Sequence, residues 1–156
     1  MRVAILTVST RVAAGDMTDR GGPAIEEALP SAWAVTAQKT VTDDLDQIAT
    51  ALAEWADSGQ VDLILTTGGT GLGPYDVTPE ATERIAHRTV AGIGEALRDE
   101  GRKSLPAAML SRGLGAIRGQ TLIVNLPGSP SGAAEGVRVI APVAEHALHT
   151  MQGGHH

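Results

Sequence analysis

Apolar positions along the chain change their period several times, and the period predicts which secondary structure each stretch adopts. Short apolar runs rich in β-branched residues, together with one alternating run, predict strands at residues 3–8, 35–41 and 61–67. Apolar residues at helical spacing predict helices at residues 23–29, 45–56, 78–87 and 92–100, with a loop over residues 11–22. Strands and helices therefore alternate, which is the pattern of an α/β fold.

The C-terminal part of the chain predicts a departure from a purely parallel sheet. Residues 115–117 and 121–124 are short apolar runs that flank residues 118–120, which is the arrangement of a β-hairpin. We therefore expect an antiparallel strand in an otherwise parallel sheet. A helical stripe follows at residues 137–151, in which Pro142 is expected to break or restart the helix.

Composition limits the classes of protein that the chain can represent. It has 156 residues, of which 42% are hydrophobic and 19% charged, with a formal net charge of -6 and no cysteine. The acidic balance argues against nucleic acid as a partner, and no segment approaches the roughly 20 apolar residues of a membrane span. The absence of cysteine excludes disulfides and thiolate metal sites. We expect a cytoplasmic protein with a single domain over residues 1–152 and a short tail at 153–156.

The block at residues 66–82, TTGGTGLGPYDVTPEAT, is the most informative pattern in the chain. Its glycines let backbone amides approach a ligand closely, and a helix expected to be capped by Thr78 adds N-terminal amides with a partial positive charge. Such a loop favours phosphate or carboxylate, although a tight turn without a ligand is the alternative. The block has no P-loop lysine, and the third glycine of a dinucleotide fingerprint would fall on Pro74, so neither motif fits.

Two further segments, residues 8–29 (VSTRVAAGDMTDRGGPAIEEAL) and residues 110–130 (LSRGLGAIRGQTLIVNLPGSP), complete a resemblance that covers essentially the whole chain. Together with the glycine block they resemble the family of molybdenum-cofactor biosynthesis proteins that bind molybdopterin. The resemblance implies a three-layer α/β/α domain with a mostly parallel sheet and an antiparallel edge hairpin. It also implies a homotrimer that joins ATP and molybdopterin into adenylylated molybdopterin and pyrophosphate with Mg²⁺, and contacts with other molybdenum cofactor assembly proteins.

The resemblance also implies roles for residues that follow the predicted strands. Asp76 matches the family's catalytic aspartate in GxxDxTP, and Asp43 is the better match to a second one. Asp44 stays open for that second role, because the family usually has proline where Thr42 stands. Both Asp43 and Asp76 are implied as catalytic and metal-holding residues. The implied substrate-binding residues are Ser9, Thr10, Thr67, Gly68, Gly69, Thr70, Gly71, Pro127, Gly128 and Ser129.

The chemistry of the implied reaction needs positioning more than a reactive side chain. The substrate's own phosphate would attack the α-phosphorus of ATP, and Mg²⁺ is typically held by one or two carboxylates. Helix capping is the alternative role for the aspartates and for Ser129. Arg112 is expected either to reach a phosphate or to form a surface salt bridge, whereas Arg98, Arg102 and Lys103 are expected on a solvated helix face.

Two other functions stay open from the sequence. A pterin-binding carrier would keep the same fold without catalysing a reaction. A nucleotide pyrophosphatase related to competence-damage-type domains would share the glycine block, although such domains normally belong to longer chains.

Overall fold

The fold is organised around a six-stranded sheet in which the strand order is β2-β1-β3-β6-β5-β4. The computed structural model describes residues 1–155, so His156 of the predicted tail lies outside the described residues. The strands are β1 (Arg2–Val8), β2 (Ala34–Val41), β3 (Leu63–Thr67), β4 (Arg88–Val90), β5 (Gly115–Arg118) and β6 (Thr121–Leu126). Strands β2, β1, β3 and β6 are parallel, and β5 is antiparallel to both β6 and β4. The predicted β5–β6 hairpin is therefore confirmed.

Helices cover both faces of this sheet. They are α1 (Thr10–Ala13), α2 (Gly21–Ala28), α3 (Leu45–Asp57), α4 (Thr78–Ile85), α5 (Ala91–Arg102) and α6 (Pro130–Met151), with a short 3₁₀ helix at Pro106–Leu110. Alternate residues of β1 face opposite sides of the sheet, so Leu6 packs with α3 while Ile5 packs with α2 and α6. Two hydrophobic clusters, one on each face, therefore hold three layers together, and the predicted α/β fold is confirmed. Within residues 1–155 no helix is long and apolar enough to cross a membrane.

The strand order determines where the loops meet. The chain passes from β1 to β2 on one side and then crosses to β3 on the other side of β1. Because β2, β1, β3 and β6 are parallel, the loops that follow all four strands lie at the same edge of the sheet. Open α/β sheets bind ligands at the carboxyl ends of their strands, at the point where the strand order reverses. The predicted site residues follow these four strands.

Several local predictions differ from the structure. Residues 88–90 form the edge strand β4. The two ends of the predicted loop are helical, because residues 11–13 belong to the single turn α1 and residues 21–22 begin α2. Helix α6 continues through Pro142, contrary to the predicted break. Pro142 and Arg138 both lie on the solvent side of α6, so water can satisfy the Arg138 carbonyl that loses its amide partner. The domain limits at residues 1–152 stay a prediction.

Candidate active site

The loops after β1 and β2 are joined by Thr10 and Asp43. The backbone N–H and the hydroxyl of Thr10 both donate to Asp43 Oδ2, at 3.0 and 2.9 Å, and Thr10 Oγ1 accepts from the Asp43 N–H at 3.0 Å. Ser9 precedes this pair and caps α1, since its Oγ accepts from the Val12 N–H at 3.2 Å. Three sequence-predicted residues are thus brought together, and Ser9 has a structural role.

The adjacent residues Asp43 and Asp44 have different roles. Asp44 is exposed, and its Oδ1 accepts from the Gln47 N–H at 2.9 Å, so it caps α3. Asp43 contacts the loop after β1 instead. The structure therefore assigns the capping role to Asp44 and leaves Asp43 as the carboxylate in contact with the loop after β1.

Gly68 and Gly69 are required by the backbone of the loop after β3. Both have positive φ, +97° and +70°, and an added Cβ would overlap the Val8 carbonyl oxygen at Gly68 and the Thr78 hydroxyl at Gly69. Thr78 is not the N-cap of α4, contrary to prediction, because Val77 occupies that position. Instead the Thr78 hydroxyl donates to the Gly68 carbonyl at 2.9 Å and its N–H donates to the Gly69 carbonyl at 3.1 Å. The first amide of α4 therefore serves the loop rather than a ligand.

The rest of the glycine loop curls around the carboxylate of Asp76. Gly73 donates its N–H to Asp76 Oδ2 at 2.9 Å, and the Asp76 N–H donates to the Gly73 carbonyl at 3.1 Å. A Cβ at Gly71 or at Gly73 would lie 2.8 or 2.9 Å from Asp76 Oδ2. A side chain at either position would therefore displace this carboxylate from its place against the loop.

The turn after β6 contacts the glycine loop directly. The hydroxyl of Thr67 donates to the Pro127 carbonyl at 2.7 Å, and a Cβ at Gly128 would lie 3.4 Å from the Gly68 Cα. Ser129 caps α6, since its Oγ accepts from the Gly132 N–H at 3.2 Å. The ends of β3 and β6 are thus held together by a side-chain hydrogen bond and by the close approach of two glycine backbones.

The two aspartates retain an oxygen that a metal ion could use. Within residues 1–155, the hydrogen bonds to the Asp43 and Asp76 carboxylates all end on Oδ2 of each. The same residues contain no group of three or more His, Asp or Glu side chains that could form a protein-only metal cage. Mg²⁺ usually binds through one or two carboxylates and keeps water or substrate phosphates as its other ligands. The residues present fit a magnesium ion that arrives with a nucleotide, and the metal-holding role of Asp43 and Asp76 stays a prediction.

Arg112 binds the glycine loop rather than leaving its guanidinium free for a phosphate. Its N–H donates to the Thr70 carbonyl at 2.8 Å, Nε donates to the Gly71 carbonyl at 2.8 Å, and Nη2 donates to the Asp76 carbonyl at 2.7 Å. Nη1 forms an ion pair with Glu80. Burial raises the pKa of the Glu80 carboxyl, but hydrogen bonds and the charge of Arg112 outweigh it, so the pKa of Glu80 lies below its ordinary value. Of the two predicted roles for Arg112, the structure contains the salt bridge.

Arg98 is not on a fully solvated helix face, so its predicted role is wrong. It is half-buried, and Nη1 donates to the carbonyls of Ser111 and Gly113 at 3.2 and 2.9 Å. Its neighbours Arg102 and Lys103 fit the prediction, because each pairs with a carboxylate of the same helix at the surface. Arg98 lies on the side of α5 that faces the segment before β5. The helical period of the sequence does not reveal this contact.

A cavity of about 560 Å³ opens beside these loops. It lies between the glycine loop, α5, the 3₁₀ helix and the start of α6, and its size is typical of small-molecule sites. Of the sequence-predicted residues, it is lined by Thr70, Gly71, Pro127 and Ser129. The other predicted residues do not line it, and Thr10 and Asp43 lie farther along the same edge, at the ends of β1 and β2. The predicted residues therefore form an extended row rather than a single pocket.

Comparison with known proteins identifies the family. Residues 4–146 match the family described as "Probable molybdopterin binding domain". This chain belongs to that family. The molybdopterin adenylyltransferase of Escherichia coli K12 is 40% identical over 138 residues, covering 86% of this chain and 71% of that protein. The molybdopterin adenylyltransferase of Helicobacter pylori is 34% identical over 158 residues, covering 99% and 90%.

Solved structures of the molybdopterin-binding family have the same fold. The molybdopterin biosynthesis enzyme MoaB from Thermus thermophilus is 46% identical and superposes with a TM-score of 0.91, covering 97% of this chain and 96% of that one. The predicted family and the predicted three-layer fold are therefore both confirmed.

In this molybdopterin-binding domain, sequence reasoning missed a set of buried polar residues that lie beneath the glycine loop and support it. Asn125 is 1% exposed, and its Nδ2 donates to the hydroxyls of Thr66 and Thr82 at 3.2 and 3.0 Å. The Thr82 hydroxyl in turn donates to the Thr78 carbonyl at 2.9 Å. This buried network joins β6, β3 and α4 beneath the glycine loop. The polar residue within an otherwise apolar strand was the available signal, because a buried amide needs partners.

Proposed function

We propose that this chain is an adenylyltransferase of molybdenum cofactor biosynthesis, transferring an adenylyl group from ATP to molybdopterin in the cytoplasm. The observation that carries the proposal is the row of joined loops at one sheet edge, which holds Asp43, the glycine loop and Asp76. Relatives named molybdopterin adenylyltransferase, which are 34–40% identical over most of this chain, support it.

The proposed reaction forms one phosphorus–oxygen bond and breaks another. The terminal phosphate oxygen of molybdopterin attacks the α-phosphorus of ATP, and the bond from that phosphorus to the bridging oxygen of pyrophosphate breaks. Because the attacking oxygen is already anionic, the protein needs no side-chain nucleophile and works by positioning and by stabilising negative charge. The glycine loop is hydrogen-bonded to the neighbouring segments, so its backbone is already ordered before substrate binds.

The cavity is suited to the ring system of one of the two substrates. Its polar edge includes Ser129, Ser131 and Gly132 at the beginning of the 22-residue helix α6. The N-terminus of a helix carries a partial positive charge, which favours an anionic group at that edge. Pro127 and Ser129 would thus contact the substrate that also meets Thr70 and Gly71.

Magnesium and assembly belong to the same proposal. Asp43 and Asp76 would hold Mg²⁺, and the ion would supply positive charge that offsets the charge on the ATP phosphates and on the leaving pyrophosphate. A homotrimer that cooperates with other molybdenum cofactor assembly proteins follows from the family resemblance. Light scattering of the purified chain would test the trimer.

The test compares the wild type with Asp43→Asn, Asp76→Asn and Asp44→Asn in ATP- and Mg²⁺-dependent turnover of molybdopterin. Asparagine keeps an oxygen that can accept the hydrogen bonds from Thr10 or Gly73, so the fold should be retained. We expect each of the first two variants to lose about 10²- to 10³-fold in kcat. Asp44→Asn should retain turnover, because asparagine caps a helix about as well as aspartate.

Each outcome distinguishes one function from another. Tight molybdopterin binding by a wild type that makes no adenylylated pterin would favour the non-catalytic carrier. Hydrolysis of a nucleotide without pterin would favour the pyrophosphatase. Loss of turnover in Asp44→Asn with full turnover in Asp43→Asn would show that the wrong aspartate has been chosen.

A further inference from the structure

Arg112 connects parts of the candidate site that are far apart in sequence. It precedes β5, yet its backbone and side chain reach Thr70 and Gly71 in the glycine loop, Asp76 after that loop, and Glu80 in α4. All three loop contacts end on backbone carbonyls. Arg112 therefore holds the backbone at Thr70 and Gly71, before the turn around the Asp76 carboxylate, and at Asp76, after that turn.

Every nitrogen of the Arg112 guanidinium takes part in these contacts. Nε, Nη1 and Nη2 each have a partner, and these partners belong to three different residues. A guanidinium is planar and presents its donors in a fixed fork, so it can satisfy all three acceptors at once. A lysine carries the same charge on a single nitrogen and cannot reproduce this geometry.

Arg112 is itself held from the other side by α5. Arg98 Nη1 donates to the carbonyls of Ser111 and Gly113, the residues immediately before and after Arg112. The backbone from which the Arg112 side chain extends is therefore fixed, which reduces the number of positions that its guanidinium can take. A continuous set of contacts runs from α5 through Arg112 to Asp76.

We propose that Arg112 is a positioning residue that holds Gly71 and Asp76 in the geometry required by the site, with Glu80 orienting its guanidinium. Its effect on turnover rests on the proposed adenylyl transfer, whereas its effect on the loop does not. Arg112 acts through Asp76 and the glycine loop and does not contact the reacting atoms.

Arg118 provides a matched control. Its Nε and Nη2 bind the carboxylate of Asp57 at 2.9 and 2.8 Å, and its Nη1 donates to the Ile85 carbonyl at 2.8 Å. It lies at the β5–β6 turn, at the opposite edge of the sheet from the candidate site. Arg118→Lys thus removes a comparable guanidinium fork at a distance from the glycine loop.

The experiment measures amide hydrogen exchange across residues 70–77 of the full chain in the wild type, Arg112→Lys and Arg118→Lys. Local opening that requires fewer broken contacts exchanges faster, so we expect Arg112→Lys to speed exchange in this segment by about tenfold or more, and Arg118→Lys to leave it unchanged. Glu80→Gln, which keeps an acceptor for Nη1 and the backbone contacts, should give a smaller increase. Unchanged exchange in Arg112→Lys, or an equal increase in Arg118→Lys, would overturn the proposal.

Turnover separates positioning from general destabilisation. With ATP, Mg²⁺ and molybdopterin, Arg112→Lys should lower kcat by about 10- to 100-fold while KM changes much less, because a small misplacement of a reacting constellation costs this much. Arg118→Lys should keep the kcat of the wild type even if its urea midpoint falls as far as that of Arg112→Lys. Faster loop exchange in Arg112→Lys, together with no turnover by the wild type, would refute the proposed adenylyl transfer but support the positioning role of Arg112. Faster loop exchange with an unchanged kcat would refute the role in catalysis.

Discussion

Replacement of Gly68 by alanine tests whether the glycine loop is as close to β1 as the structure indicates. The added Cβ would overlap the carbonyl oxygen of Val8, and the φ of +97° is one that residues with a side chain rarely adopt. Ordinary carbon–oxygen contacts begin near ~3.3 Å, so the loop must move by roughly 1 Å away from β1. Neither partner is the flexible end of a side chain, so the backbone itself must adjust.

The magnitude follows from two separate costs. A left-handed backbone costs a residue with a Cβ about 1–2 kcal/mol, and overpacking of a filled site costs typically about 1–3 kcal/mol. Gly68→Ala should therefore lower the free energy of unfolding by about 2–5 kcal/mol. Gly119→Ala isolates the first cost, because Gly119 has φ +57° and an added Cβ would meet nothing within 4 Å.

Urea unfolding followed by circular dichroism measures both variants. We expect a lower midpoint with an unchanged slope in each, since the surface exposed on unfolding stays nearly the same. The difference between the two variants should be about 1–3 kcal/mol, which is the cost of the overlap with Val8. Equal losses in Gly68→Ala and Gly119→Ala would refute the close approach of the loop to β1.

Three further predictions concern the support of the site and the stability of the fold. Asn125→Ala should lower the free energy of unfolding by about 2–4 kcal/mol in urea titrations, because it removes the amide that donates to two buried hydroxyls, of which Thr82 keeps its bond to the Thr78 carbonyl. Gly92→Ala should raise it by about 0.4–1 kcal/mol in the same titrations, since Gly92 lies in α5 and an added Cβ would meet nothing within 4 Å. The hydrogen bond from Arg2 is the largest cause that lowers the pKa of Asp62, and burial opposes it. Its contribution to stability should be present above the unfolded carboxyl pKa near ~4 and be lost as the pH falls through the lower folded value, so the acid limb of the stability curve should flatten in Asp62→Asn.

Sequence patterns correctly predicted the strands and helices whose conformation is determined by their own residues. Strands β1 and β3 are buried on both faces, so a continuous apolar run identifies them, and α3 has a full apolar stripe with an Asp cap. Strand β4 has three residues, of which two are exposed, and it exists because β5 offers it a partner. No local pattern could reveal such a strand, since its hydrogen bonds come from a segment distant in sequence.

The candidate site shows the same division between local and distant causes. Family resemblance identified the loops. It could not separate the adjacent residues Asp43 and Asp44, because their roles depend on their hydrogen-bond partners, which are a loop threonine for Asp43 and a helix amide for Asp44. The side-chain contacts of Arg112 join it to residues 32 to 41 positions earlier in the chain, so no local sequence pattern could reveal its role.

A physical reason connects the glycine content of this edge to the proposed chemistry. Loops joined by close backbone approaches, such as Gly68 against Val8 and Gly128 against Gly68, lose much of their freedom on folding rather than on binding. A transfer between two phosphates gains most from groups that are already in place when charge develops, because no reorganisation is then needed in the transition state. A side chain at Gly68 would prevent its approach to Val8, so glycine at this strand end favours rigidity here. We therefore expect residues 68–73 to be more rigid than a glycine-rich loop usually is, and slow amide exchange in this segment of the wild type, relative to the exposed loop at residues 14–20, would be the direct evidence. Equally fast exchange in the two segments would contradict it.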